Sequence, residues 1–116
     1  MSKFKREFPF DRRAEISSRL RQQHPDRVPI IVEKAKGSDI PEVDRKKFLV
    51  PADVNMGKFV FEIRKHMTLP PEKAIFLFVG NDNLVPVASP ISSVYEKYKD
   101  PDGFLYVNVS GENTFG

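Results

Sequence analysis

The chain has no cysteine and no tryptophan among its 116 residues. Without a thiol there is no disulfide scaffold, no zinc finger or ribbon, no iron–sulfur ligation, and no cysteine nucleophile or thioester carrier. That composition suits a reducing compartment. Long apolar runs are missing as well: the longest, Ala74-Ile75-Phe76-Leu77-Phe78-Val79, is six residues, where a bilayer span needs about 20. The opening Met1-Ser2-Lys3-Phe4-Lys5-Arg6-Glu7 holds no apolar signal core. A soluble, cytoplasmic protein is expected. Catalytic signatures are equally scarce, with no G-x-S-x-G, no P-loop and no G-x-G-x-x-G. His24 and His66 are the two imidazoles, far apart and without acids at metal-ligand spacing, so both read as surface residues. Asp100 and Asp102 flank a turn, where carboxylates serve backbone hydrogen bonds rather than acid–base chemistry. No enzymatic activity, metal or cofactor is expected.

What is present suits one domain. Hydrophobic residues make up 40% and charged residues 30%, and a chain of this size hides about two-thirds of its unfolded surface on folding. The net charge of +3 has a direction. Residues 1–27 carry eight Lys/Arg against four acids, residues 28–66 eight against six, and residues 67–116 three against six. A basic front on a near-neutral body suits an anionic partner. The charge is mild for a nucleic-acid binder, and none is expected as a partner.

Residues 3–8 read as a marginal helical turn, broken by Phe8-Pro9-Phe10. A helix over 11–23 follows, with Asp11 as N-cap and Ile16 and Leu20 stacked at i, i+4. Residues 28–32 form a β-branched strand with Pro29 near its start, and 47–51 a second short strand ending at Pro51. A helix over 53–67, capped by Asp53 or Asn55, carries the 3.6-period stripe Phe59, Val60, Ile63 and Met67. Residues 74–79 are a buried or central strand, 80–83 a turn, and 84–87 a short return strand. Ser89 caps a helix running to 98 with Pro90 at its first position. Asp100-Pro101-Asp102-Gly103 is a turn, and 104–109 the last strand, leaving 110–116 as a mobile tail. The order fits an α+β fold of the ubiquitin-like β-grasp kind, a mixed four-stranded sheet on a central helix. Residues 1–24 form a helical extension, 25–109 the ubiquitin-like domain and 110–116 the tail.

Several segments are more specific than that. Phe8-Pro9-Phe10, Pro25-Asp26-Arg27-Val28-Pro29, Glu33-Lys34, Phe48-Leu49-Val50-Pro51, Leu69-Pro70-Pro71-Glu72-Lys73-Ala74-Ile75-Phe76, Asp102-Gly103-Phe104-Leu105-Tyr106-Val107 and the ending Ser110-Gly111-Glu112-Asn113-Thr114-Phe115-Gly116 occur in one order. Over essentially the whole chain the sequence resembles the autophagy-related protein 8 family, the GABARAP and light-chain-3 ubiquitin-like modifiers. The resemblance implies a ubiquitin-like core with two extra N-terminal helices. It also implies conjugation through Gly116 to phosphatidylethanolamine, by activating and conjugating enzymes that each supply a cysteine. It further implies a cysteine protease that trims precursors beyond the glycine and removes the lipid. The protein would be cytoplasmic, and on autophagosome membranes when lipidated. A glycine has no Cβ to hinder a carboxylate that must thread a narrow site and be attacked twice.

The second implied activity is recruitment of cargo receptors and adaptors through aromatic-x-x-aliphatic peptides, which add as a strand to an exposed sheet edge. That edge would be Lys47 to Val50. Ile16, Leu20, Pro29, Ile31, Lys47, Leu49 and Phe104 would line the aromatic pocket. Phe48, Val50, Pro51, Val54, Phe59 and Ile63 would line the aliphatic one. Arg27, Arg45, Lys46 and Lys47 would meet the acids that precede such motifs. The chain departs from the family's usual pattern in several places: Ile16 stands where an acid is usual, Glu62 where an apolar residue is, His66 where a base is, and the Gly80–Asn83 turn is one residue longer, with Val85 and Val87 in less familiar company. The alternative is a soluble peptide-binding or trafficking adaptor, on tubulin or elsewhere, that is never conjugated.

Overall fold

The computed structural model describes residues 2–111. In chain order the elements are α1 (Lys3–Glu7), α2 (Phe10–Gln23), β1 (Arg27–Lys34), β2 (Lys47–Pro51), α3 (Met56–Arg64), β3 (Phe76–Val79), β4 (Asn83–Leu84), α4 (Ile91–Tyr98) and β5 (Leu105–Ser110). One mixed sheet holds the strands in the order β2-β1-β5-β3-β4. β5 enters the middle, parallel to β1 and antiparallel to β3. This is the expected α+β, ubiquitin-like arrangement, with five strands rather than four because Asn83 and Leu84 pair with Val79 and Phe78.

Alternation along the strands sorts residues onto two faces. One face presents Val28, Ile30 and Val32 of β1, Phe48 and Val50 of β2, and Leu105, Val107 and Val109 of β5. Met56, Phe59 and Ile63 of α3 close over them, together with Ile91, Val94 and Tyr95 of α4. These side chains form the main core. The other face presents Pro29 and Ile31, with Tyr106 from β5 and Phe104 just before it, and lies under α1 and α2. Phe4 of α1 is half-buried there, its ring 5.0 Å from Phe8, 5.3 Å from Phe104 and 6.4 Å from Tyr106.

Element ends differ from the expectations for local reasons. Asp11 does not cap α2. Pro9 holds the N-cap position, where its carbonyl accepts from Arg13 N–H at 3.0 Å, and Asp11 sits in the first turn, favoured by the helix dipole. α3 is shorter than 53–67. The Asn55 side chain accepts from Lys58 N–H at 2.9 Å and fixes its start, and bonds from His66 to Ile63 and from Met67 to Arg64 tighten its exit into 3₁₀ geometry. Ser89 does not cap α4. Its carbonyl is taken by Met56 N–H at 2.9 Å, and Pro90 occupies the cap position. The strand expected over 74–79 begins at Phe76, and the one over 104–109 runs Leu105–Ser110. Of the expected tail, Ser110 belongs to β5 and Gly111 is buried, while Gly116 lies outside the described residues.

Candidate functional site

β2 is the outer strand of the sheet. Its register to β1 runs Arg27↔Pro51, Val28↔Val50, Pro29↔Leu49, Ile30↔Phe48 and Ile31↔Lys47. Ala52 N–H donates to Asp26 O at 3.0 Å and Val32 N–H to Lys46 O at 2.7 Å. Both bonds join pairs of even number, and antiparallel pairs alternate between bonded and non-bonded. The backbone groups of Phe48 and Val50 therefore face β1. Those of Lys47 and Leu49 face outward, along an edge that no other strand of the described residues covers.

The expected apolar sets lie on opposite faces of that edge. On the α2 side Leu49 is half-buried beside buried Pro29, and Phe104 and Ile31 are 0% exposed. On α2, Arg13 and Ser17 meet the 102–103 turn, and Ile16 and Leu20, both half-buried, share the same helical stripe. Lys47 is exposed at the outer end. On the core side Phe48 packs edge-on against Phe59 at 5.5 Å, and Phe59 and Ile63 are 0% exposed. Val50 is buried too, so these four supply a floor, while Pro51 and Val54, joined by a 3.4 Å bond from Val54 N–H to Pro51 O, are half-exposed. By strand alternation Pro51 shares the Leu49 side of the pleat at the strand's last position.

Arg27, Arg45, Lys46 and Lys47 are all exposed. Two of them also touch the edge itself. Arg27 Nη1 donates to Leu49 O at 3.3 Å, and Arg45 Nε to Lys47 O at 3.2 Å. The Arg45 guanidinium additionally stands 5.0 Å from the centroid of the Phe48 ring. His66 is half-buried rather than on the open surface: Nδ1 is 2.9 Å from Asp44 Oδ1, and the ring meets Phe48 edge-on at 5.6 Å. Among the described residues no three His, Cys, Asp or Glu side chains cluster to hold a metal ion, and no helix is long and apolar enough to cross a membrane.

A buried polar network supports the α2 side and was not foreseen from the sequence. Asp102, with a 0% exposed side chain, binds Arg13 Nε through Oδ2 at 3.0 Å. The same oxygen accepts from Tyr106 OH at 2.5 Å, Oδ1 accepts from Phe104 N–H at 2.8 Å, and Ser17 Oγ donates to the Asp102 carbonyl. Arg13 Nη1 also donates to Phe8 O at 3.2 Å. Both carboxylates of the turn do bind backbone, Asp100 Oδ2 accepting from Asp102 N–H at 3.1 Å, but they are also ion-paired. The signal was available. Arg13 stands three and seven residues before Ile16 and Leu20, and a charge on a buried helical stripe requires a buried partner. So part of the basic front is spent inside the fold.

The network accounts for two side-chain and backbone features. Burial, then the bond to Asp102 and that residue's charge, push the Tyr106 hydroxyl above its ordinary range, so it stays a donor. Gly103 has φ +91°, and a Cβ there would collide with Ser17 Oγ. Gly103→Ala is therefore expected to cost about 2 kcal/mol or more, from left-handed strain plus displacement of Ser17, seen as a lowered Tm.

α1 is held more lightly. Phe4 N–H donates to Glu33 Oε2 at 3.0 Å, and Lys5 Nζ lies 2.6 Å from Asp100 Oδ1. Burial opposes ionisation of Asp100, but the Lys5 ammonium and the Asp102 N–H outweigh it and hold the carboxyl below its ordinary 3.8. A depressed carboxyl contributes stability above its unfolded value, and loses it as pH falls through the folded value. The attachment is thus expected to persist from neutral pH down to about 3.8 and to loosen below it. Amide shifts of Phe4 and Lys5 followed against pH check this, and loosening near neutrality would contradict it.

The comparisons with known proteins agree with the geometry. A family model described as "Autophagy protein Atg8 ubiquitin like" matches residues 11–116. The Autophagy-related protein 8 of Dictyostelium discoideum is 58% identical over 117 residues, covering 100% of this chain and 95% of its own. Autophagy-related protein 8d of Arabidopsis thaliana is 54% identical over 116 residues, covering 100% and 96%. The crystal structure of Trypanosoma brucei ATG8 matches with a TM-score of 0.92 at 47% identity, covering 100% of this chain and 99% of that one.

Proposed function

The chain belongs to the Atg8 family of ubiquitin-like autophagy proteins, and from that premise we propose that it is a conjugated modifier that recruits receptors to autophagic membranes. It is joined through Gly116 to the amine of phosphatidylethanolamine. It binds aromatic-x-x-aliphatic peptides along β2. It acts as substrate and adaptor rather than catalyst.

The observation that carries the peptide-binding half is the open β2 edge between two apolar sets. In an extended peptide, residues three apart point to opposite sides of the strand. An aromatic and an aliphatic side chain at that spacing therefore enter opposite faces of the sheet. The Leu49 side and the Phe48 side of β2 are two such faces, with outward-facing amides and carbonyls of Lys47 and Leu49 between them. The exposed cations at both ends of the edge favour peptides with acids beside the motif.

The conjugation half rests on family membership and on the glycine at position 116, which has no Cβ to hinder attack on its carbonyl. With no cysteine in the sequence, both thioester stages belong to the activating and conjugating enzymes. The Gly116 carboxylate is first adenylated and then held as a thioester. The lipid amine attacks that carbonyl, the amide forms, and the enzyme thiolate leaves.

Leu49→Ala tests the edge. It is expected to weaken binding of an acidic Trp-x-x-Leu peptide about tenfold or more, with little change in Tm because Leu49 is only half-buried. Calorimetric titration and a melting curve give both numbers. Unchanged affinity in a folded variant would move the binding surface away from β2.

A further inference from the structure

β5 ends at Ser110, whose ladder partner is Phe76, and a chain leaving a sheet holds its place only where something ties it down. Here the next residue is tied. Beyond β1, Ala35 N–H donates to Val109 O at 2.8 Å and Ser38 N–H to Ala35 O at 3.1 Å, closing a turn in which Gly37 has φ +83°. That turn brings Ser38 back across the end of β5. There its Oγ accepts from Gly111 N–H at 3.3 Å and from Ile40 N–H at 3.5 Å. Ile40, 5% exposed and part of the main core, lies so close to Gly111 that a Cβ on residue 111 would collide with its Cγ2. We infer that Ser38 and Ile40 are positioning residues for conjugation: they fix Gly111, and so set the point from which Gly116 is presented to the enzymes.

The inference rests on Gly116 being the conjugated residue and adds what aims it. Gly116 is five residues beyond Gly111, so it reaches at most about 18 Å from that point. With Gly111 pinned, a docked domain delivers the carboxylate from a fixed origin and in a fixed direction. With Gly111 loose, the same docking contacts leave both undefined, and transfer between two held partners depends on both. Glycine at 111 is what lets the backbone lie flush on Ile40. Gly111 is also buried, so without the Ser38 oxygen its N–H would be an orphaned buried donor. That cost falls past the last rung of β5, where local opening relieves it without unfolding the main core.

The test uses the full chain and its Ser38→Ala, Ser38→Thr and Gly111→Ala variants, with melting curves certifying each fold. Hydrogen exchange at the Gly111 amide is expected to be about fivefold or more faster in Ser38→Ala than in the wild type. Reconstituted lipidation then gives kcat and KM, with purified activating and conjugating enzymes, ATP and phosphatidylethanolamine vesicles. Ser38→Ala and Gly111→Ala are each expected to lower kcat about threefold or more with KM unchanged, because docking is intact and presentation is not. Ser38→Thr keeps the accepting oxygen and is expected to retain the wild-type values. A contact that only stabilises the loop would leave kcat unchanged in Ser38→Ala while exchange quickens, and that result overturns the inference. A loss carried entirely by KM overturns it too, as does a Gly111 amide that exchanges equally fast in the wild type and Ser38→Ala. If the wild type is not lipidated at all, the reading of Gly116 fails, and the inference fails with it.

Discussion

Gly116→Ala is expected to abolish attachment to phosphatidylethanolamine while leaving the melting temperature unchanged. The two halves of that expectation have separate causes. Residue 116 lies outside the described residues, and the main core, from Val28 to Val109, is left unaltered in composition by the substitution. The chemistry is sensitive for a different reason. In the proposed route the carbonyl of residue 116 is attacked by the activating enzyme's thiolate, then by the conjugating enzyme's and then by the lipid amine, and a glycine has no Cβ to hinder any of these attacks. A misplacement of about 1 Å at a reacting centre costs on the order of 10²-fold, and the slowest of the successive transfers sets the overall loss. A reconstituted conjugation reaction followed by intact mass reads the outcome. Normal attachment of the alanine variant would place the conjugation chemistry elsewhere. Only unmodified mass in membrane fractions from starved cells, for the unaltered protein, would favour the soluble-adaptor alternative.

Asp102→Ala has the largest expected effect on stability. Removing the carboxylate leaves Arg13 with a side chain only 10% exposed and no counter-ion, and deprives Tyr106 OH and Phe104 N–H of their acceptor. Breaking one side of a buried ion pair costs about 3–5 kcal/mol, against about 5–15 kcal/mol for a whole domain. For a domain of about 100 residues that is a fall in Tm of roughly 15 °C or more. The loss should be concentrated on the α2 side, where Phe104 forms the floor, so peptide affinity should fall along with Tm. Removing both charges in an Arg13→Met/Asp102→Leu variant should restore part of the lost stability, because no unpaired charge is then buried. A Tm within about 2 °C of wild type for Asp102→Ala would show that the network contributes little.

How much of this could be read in the sequence varied with the physics of each part. Strands β1 and β2 declare themselves through Val28-Pro29-Ile30-Ile31-Val32 and Phe48-Leu49-Val50, but these continuous apolar runs show no alternation from which their register could be read. The helix stripe of Phe59 and Ile63 declares α3. Caps were harder, because Asp11, Ser89 and Asn55 are all good capping residues. Only Asn55 is used, while Pro9 and Pro90 take the other two cap positions for reasons set by neighbouring loops. The short return strand expected over 84–87 and left out of the four-stranded count is Asn83–Leu84, a pairing too short to carry a periodicity of its own. Asp102 was read for its turn and not for its ion pair, since its partner lies 89 residues away, and no local pattern encodes that distance. The same holds for Arg27 and Leu49 O. A residue type announces charge, and only the register tells which carbonyl that charge will meet.

The most direct test of the account is an amide NMR titration of the full chain with a Trp-x-x-Leu peptide carrying acids beside its motif. The account predicts saturable shifts at Arg27–Ile31, at Arg45–Val50 and along Phe59–Ile63, with the outward amides of Lys47 and Leu49 among the largest. Saturable shifts confined to β3 and β4, or no shifts at high micromolar peptide, would contradict it.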